Sequence, residues 1–289
     1  MTRPSPAADD QRIALIQKHA IRAFRAAGVD GPVVPDPGDA LNTSIRSTAG
    51  AEYGLANLTL TCLSLPRWRW RRQIRNHVAS IVAGTADQQP FDLTDPEIRV
   101  GLRSRLMPEN GLPWNLDYAR RIAPGLLEVL CVDLPATVGF VSDESIAGHD
   151  AEALFALGRS QLQFERIDAR EEIAPGLTAL VGESFFVASR VLDPRFMAAE
   201  LEGAPRGVAF FAPGRSELFI APISGAESVE PITALARLAS RLDPASRPGS
   251  LSGALYFTDG TQFQRISDVG EDGELAVIAD GPFLDAINA

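Results

Sequence analysis

A chain of 289 residues can bury most of its apolar surface without disulfide or metal staples, and its 45% hydrophobic and 22% charged composition excludes wholesale disorder. A net charge of −10 sets it against phosphate backbones and anionic membrane surfaces. No apolar run approaches the roughly 18 residues of a transmembrane helix, so nucleic acid is a disfavoured partner and no membrane contact is expected.

The first ten residues, MTRPSPAADD, lack the apolar heart of a signal peptide, and the cytoplasm is the expected location. Residues 11–27 place Ile13, Ile16, Ala20, Phe24 and Ala27 at three- and four-residue steps, which predicts an amphipathic helix. Asp9 or Asp10 could cap it and Gly28 could end it. The proline- and glycine-rich residues 31–38 read as a loop. Strands are predicted over 40–48 and over 57–65, where Leu58, Leu60 and Cys62 alternate with Thr59 and Thr61. Pro66 then starts a helix over 67–82, with Trp70, Ile74, Val78 and Ile81 on its inner face.

Residues 84–95 are polar and turn-rich and mark a boundary. Beyond them, strands are predicted over 97–106, 126–134 and 137–142, with a loop over 107–114. A helix over 150–164 is capped by Asp150. A strand over 177–181 and a helix over 194–201 precede a hairpin of 207–211 with 217–222. A helix over 228–242 puts Ile232, Leu235, Leu238, Ala239 and Leu242 on one stripe. A second hairpin turns at Asp259-Gly260, and the tail from Glu271 docks a last strand or turn. Hairpins mixed with helices, without regular strand–helix alternation, predict an α+β fold. Its mixed, antiparallel-rich sheets are covered by helices in two packed units. These are a small α+β unit over 1–90, read as helix–strand–strand–helix, and a larger α+β unit over 96–289.

Chemistry-bearing residues are sparse. Lys18 is the only lysine, so Schiff-base chemistry would fall on it. Cys62 and Cys131 sit in separate apolar runs and read as small core residues. His19, His77 and His149 lack partners at metal-ligand spacing, so no metal and no cofactor are expected. Gly182-Glu183-Ser184-Phe185 lacks the last glycine of a nucleophile elbow. The carboxylates Asp133, Asp143, Glu144, Glu165, Asp168, Glu171, Glu172 and Glu183 could supply acid–base pairs, but spacing alone brings no two together. The densest feature is Arg67-Trp68-Arg69-Trp70-Arg71-Arg72-Gln73-Ile74-Arg75. As a helix, it turns Trp70 and Ile74 inward and puts Arg67, Arg71 and Arg75 on a solvated stripe. There they could pair with the chain's excess carboxylates or, with Trp68, grip an anionic partner.

Several short segments carry a family resemblance. They are Trp114-Asn115-Leu116-Asp117-Tyr118-Ala119, Gly182–Ser189 with Leu192-Asp193-Pro194 behind it, residues 207–218 with the turn Ala212-Pro213-Gly214-Arg215-Ser216, and Ala254–Gly260. In order and content these resemble domain of unknown function 1444, the bacterial YtpQ-like family, over roughly residues 40–268. The resemblance implies a cytoplasmic bacterial α+β protein and carries no catalytic residues. The arginine-rich helix and the long N-terminal helix depart from that pattern.

The expected function is non-catalytic, that of a binding or adaptor protein that meets an acidic protein partner through Arg67, Trp68, Arg71 and Arg75. The alternative is a hydrolase using Ser184 or a carboxylate-activated water near Asp133. Nothing in the pattern specifies an oligomeric state.

Overall fold

The computed structural model describes residues 6–33, 44–46, 48, 52–86, 90–112, 116–134, 137–244, 249–269 and 275–288. The chain divides into two compact units, one of residues 1–89 with 135–137, the other of 90–134 with 138–289. Together they form an α+β fold.

The N-terminal unit consists of helix α1 (Pro6–Ala26), the hairpin of β1 (Ser44–Arg46) and β2 (Glu52–Gly54), and helices α2 (Ala56–Ser64) and α3 (Arg67–Ala86). Helix α1 begins earlier than its apolar stripe, so Asp9 and Asp10 lie inside its first turns and not at its cap. It ends at Gly28, whose φ of 88° suits a residue without a Cβ. Ile16, Ala20 and Phe24 pack with Leu55, Leu58, Cys62, Trp70, Ile74 and Val78 in one core.

The expected strand over 57–65 is a helix, α2. Leu55, Leu58, Thr59 and Cys62 are the buried positions, while Leu60 is half-buried. That is the three- and four-residue rhythm of a helix laid against α1 and α3. Of the expected strand over 40–48, Ser44–Arg46 is β1, and 40–43 and 47 lie outside the described residues, as do 34–38 of the expected loop.

The C-terminal unit opens with α4 (Pro96–Gly101), capped by Asp95, whose side chain accepts from the Glu97 amide. The first half of the expected strand over 97–106 is therefore helical, because Asp95-Pro96 supplies a cap and a proline at the first helical position. Strand β3 (Leu102–Pro108) follows, running into the expected loop. Then come β4 (Arg120–Ala123), β5 (Leu126–Leu134), β6 (Thr137–Phe140), α5 (Asp143–Ile146) and α6 (Ala151–Gln161). Asp150 caps α6 by accepting from the Ala153 amide. Next are β7 (Ala169–Ala174), β8 (Leu177–Val181), α7 (Pro194–Gly203), β9 (Val208–Phe211), β10 (Glu217–Pro222) and α8 (Val229–Arg241). The unit ends with β11 (Leu255–Thr258), β12 (Phe263–Arg265), β13 (Ser267–Val269), β14 (Leu275–Val277) and α9 (Gly281–Asn288). Of the expected tail from Glu271, 271–274 lie outside the described residues, Leu275–Val277 is the expected strand, paired with β13, and α9 follows it, with Phe283 in the core.

One antiparallel sheet has the order β12-β11-β9-β10-β8-β7, and a second contains β3-β5-β4 with β6 beside β5. Side chains alternate between faces, and in the larger sheet both faces are buried. Leu180, Val208, Phe210, Leu218, Ile220 and Tyr256 turn into a core shared with Val129 and Cys131 of β5. Ala179, Ala209, Phe211, Phe219, Leu255 and Phe257 turn the other way, under α8 and α9. Leu130 and Val132 of β5 pack with Leu154 and Phe155 of α6. Strands covered on both sides read as continuous apolar runs, as 126–134 and 208–211 do.

Helix α6 lies so close to β3 that a Cβ on Gly158 would meet the Ser104 backbone nitrogen at 2.8 Å and the Arg103 carbonyl carbon at 3.1 Å. Alanine at a helical glycine ordinarily adds about 1 kcal/mol. Here overpacking against backbone, worth about 1–3 kcal/mol, should outweigh that gain. Gly158→Ala is expected to lower the urea midpoint of the C-terminal unit.

Candidate functional site

Charge is unevenly divided along the chain. Residues 1–89 hold eleven Lys/Arg and seven Asp/Glu, a net of +4, and residues 90–289 hold sixteen and thirty, a net of −14. No carboxylate occurs between Asp10 and Asp30 or between Glu52 and Asp87. Most of α1 and all of α3 are thus free of negative side chains.

Helical spacing sorts the cations of these helices. On α1, His19, Arg22, Ala23 and Ala26 share a stripe; on α3, Arg71, Ile74 and Arg75 share another. The two stripes face each other across a groove of about 400 Å³ with Ile74 buried in its floor. His19 is held below its ordinary value by burial and by the charges of Arg71, Arg22 and Lys18. Among the described residues, Lys18, Arg22, Arg71 and Arg75 form no ion pair with a carboxylate.

Trp68 and Arg67 stand elsewhere on α3. Trp68 is 75% exposed and carries the Arg69 guanidinium over its ring at 4.6 Å. It borders a second depression with Leu65, Arg72 and Gln73. Arg67 lies over the ring of buried Trp70 at 5.7 Å, as does Arg12, and the Trp70 indole donates to the Leu65 carbonyl at 3.0 Å. The four residues named from sequence therefore divide. Arg71 and Arg75 line the groove, Trp68 faces the second depression, and Arg67 covers the core tryptophan. His19 and Arg22, which complete the groove, were missed. Their signal was the carboxylate-free run of α1, legible only once α1 and α3 are known to pack.

In the C-terminal unit the hydrolase candidates converge around one carboxylate. The Ser184 hydroxyl donates to Glu165 Oε2 at 2.6 Å and accepts from the Phe186 amide at 3.0 Å. Glu165 Oε1 accepts from Arg103 Nε at 2.6 Å. Asp133 is close enough that burial, joined by the Glu165 charge, raises its carboxyl while Arg103 lowers it. Glu165 therefore divides its two oxygens between a guanidinium and the serine. Among the described residues no imidazole takes part in this cluster.

A depression of about 480 Å³ beside α7 is lined by Arg159, Met197, Leu201, Asp259 and Phe263. Its only carboxylate, Asp259, accepts from the amides of Thr261 and Gln262 and closes its own turn. Among the described residues no group of three or more His, Cys, Asp or Glu could hold a metal ion, and no helix is long and apolar enough to cross a membrane. Comparison with family models, with curated proteins and with solved structures finds no match to this chain.

Proposed function

We propose that this chain is a non-catalytic binding or adaptor protein of the cytoplasm that receives an acidic segment of a partner protein in the groove between α1 and α3. The observation that carries this reading is the set of Arg22, Arg71 and Arg75 around one groove, none of them in an ion pair with a carboxylate among the described residues. Like charges four residues apart on a helix repel, and an incoming Asp- or Glu-rich segment turns that repulsion into attraction. The remainder of the chain carries a net charge of −14, which sets its surface as a whole against an acidic segment. The hydrolase alternative draws less support, because the partner of Ser184 is a carboxylate already neutralised by Arg103.

A fluorescent oligo-glutamate peptide serves as the probe. The intact chain should bind it with an affinity that falls steeply with salt. Arg71→Glu with Arg75→Glu should weaken binding at least about tenfold, since reversing charges at a contact replaces attraction with repulsion. Arg67→Glu should weaken it less, and Trp68→Ala hardly at all. Unchanged binding in the double reversal would remove the proposal. Preference for a single-stranded oligonucleotide over the peptide would replace the acidic protein with nucleic acid.

A further inference from the structure

Other arginines withdrawn from solvent in the C-terminal unit are paired. Arg103 meets Glu165 and Arg190 meets Asp193, and half-buried Arg159 meets Glu128. Two depart from this rule. Arg105, on β3, is nine-tenths buried. It stands opposite Val129 in the β3–β5 register, on the face that also carries Cys131, and so points into the core between the sheets. Its Nε finds no hydrogen-bond partner, and its polar contact is the Cys131 sulfur, a weak acceptor. Its guanidinium lies 5.6 Å from the ring centre of Phe140 and 6.0 Å from that of Phe186.

Arg215, in the turn between β9 and β10, lies 3.7 Å over the ring of Phe185. Burial pushes its guanidinium down to about 10, and the Arg105 charge pushes the same way. Among the described residues neither arginine forms an ion pair.

The backbone holds this arrangement from three sides. The segment over 182–189 carries Phe185 and Phe186. It is tied to the turn by Ala188 N to Arg215 O at 3.0 Å and by Ser216 Oγ to Ser184 O at 3.1 Å. It is tied to β3 by Leu106 N to Ser189 Oγ at 3.0 Å. Arg215 N donates to Gly249 O at 3.0 Å. Two like charges are thus brought together among aromatic rings by fixed main chain. Cation–π contact with phenylalanine offsets little of the cost of burying them, whereas an oxyanion matches the guanidinium fork in both charge and shape.

We propose that Arg105 and Arg215 form a binding site for a small-molecule oxyanion, a phosphate or carboxylate group, whose attached body lies against Phe140, Phe185 and Phe186. The site is in the C-terminal unit and is independent of the basic groove.

The test is thermal unfolding of the full chain in chloride buffer at fixed ionic strength, titrated with inorganic phosphate and separately with benzoate. A saturable rise of the C-terminal transition is expected with at least one of them, about 5 °C or more at a hundredfold excess over Kd. Response to phosphate alone assigns a phosphate group, and response to benzoate alone a carboxylate with an apolar body. Arg105→Met and Arg215→Gln should each abolish the rise while leaving the melting point in chloride unchanged or higher, because an unpaired buried charge has been removed. If Arg105→Met does not fold, Arg215→Gln, at a less deeply buried position in a turn, carries the test. Arg71→Glu with Arg75→Glu should keep the rise. Absence of any saturable rise, or a rise that survives Arg215→Gln, would overturn the proposal, as would a rise lost only in the α3 variant.

Discussion

Replacing Trp70 with alanine should remove a large part of the N-terminal unit's stability, while the same change at Trp68, two residues away, should pass almost unnoticed. Trp70 is 1% exposed and packs among Phe24, Leu55, Leu58 and Cys62. Its indole N–H is satisfied by the Leu65 carbonyl, so truncation removes both a large apolar volume and a hydrogen bond. Loss of a buried tryptophan costs about 3–5 kcal/mol, and a unit of this size has only about 4–12 kcal/mol to lose. Trp68 is three-quarters exposed, and surface substitutions ordinarily stay within about 0.5 kcal/mol. Urea titrations followed by far-UV circular dichroism should show the transition of the N-terminal unit move far to lower urea in Trp70→Ala and stay in place in Trp68→Ala. Equal losses in the two variants would contradict the inward and outward facing of these residues.

The second large effect is expected at the Glu128–Arg159 pair. Glu128 lies on β5 with its side chain fully out of solvent, and Arg159 of α6 grips it twice, at 2.7 and 2.5 Å. Arg159→Leu strands that carboxylate and should destabilise the C-terminal unit by about 3–5 kcal/mol. Removing both partners together, as Glu128→Leu with Arg159→Leu, leaves no charge behind. That double variant should be close to neutral or more stable by about 1–4 kcal/mol. The pattern, severe single and mild double, is read from urea midpoints. A single replacement costing less than about 1 kcal/mol would mean that Glu128 is satisfied in some other way.

The arginine-rich helix was readable because its period is long and unambiguous. Trp70, Ile74 and Val78 repeat every fourth residue over a segment too long for a strand. Residues 57–65 were not readable, because nine residues with Leu58, Cys62 and Leu65 four and three apart also satisfy a two-residue alternation through Leu60. Only packing against α1 and α3 chooses between the two. Strand β4 and strand β7 escaped notice for a different reason. Arg120–Ala123 and Ala169–Ala174 are mostly polar, exposed or half-buried, and are held by pairing with β5 and β8 and not by an apolar face.

Sites were less legible than elements. Leu102-Arg103-Ser104-Arg105-Leu106 reads as a strand with a wet, basic face, yet the sheets close over that face and bury both arginines. Nothing local signals that Arg103 will find Glu165, sixty-two positions on, while Arg105 will meet only rings and a sulfur. The groove residues Arg71 and Arg75 could be named from their helical stripe, whereas His19 and Arg22 depend on how two distant helices lie together.

The two cysteines give the chain a built-in pair of clocks. Cys62 belongs to the core of one unit and Cys131 to that of the other, and burial pushes both thiols up to about 11. The thiolate is the form that attacks alkylating reagents, so each sulfur is guarded both by access and by protonation until its surroundings open. Mass-resolved maleimide uptake at the two peptides would therefore time the breathing of each half of the molecule separately, in one tube and without any added dye.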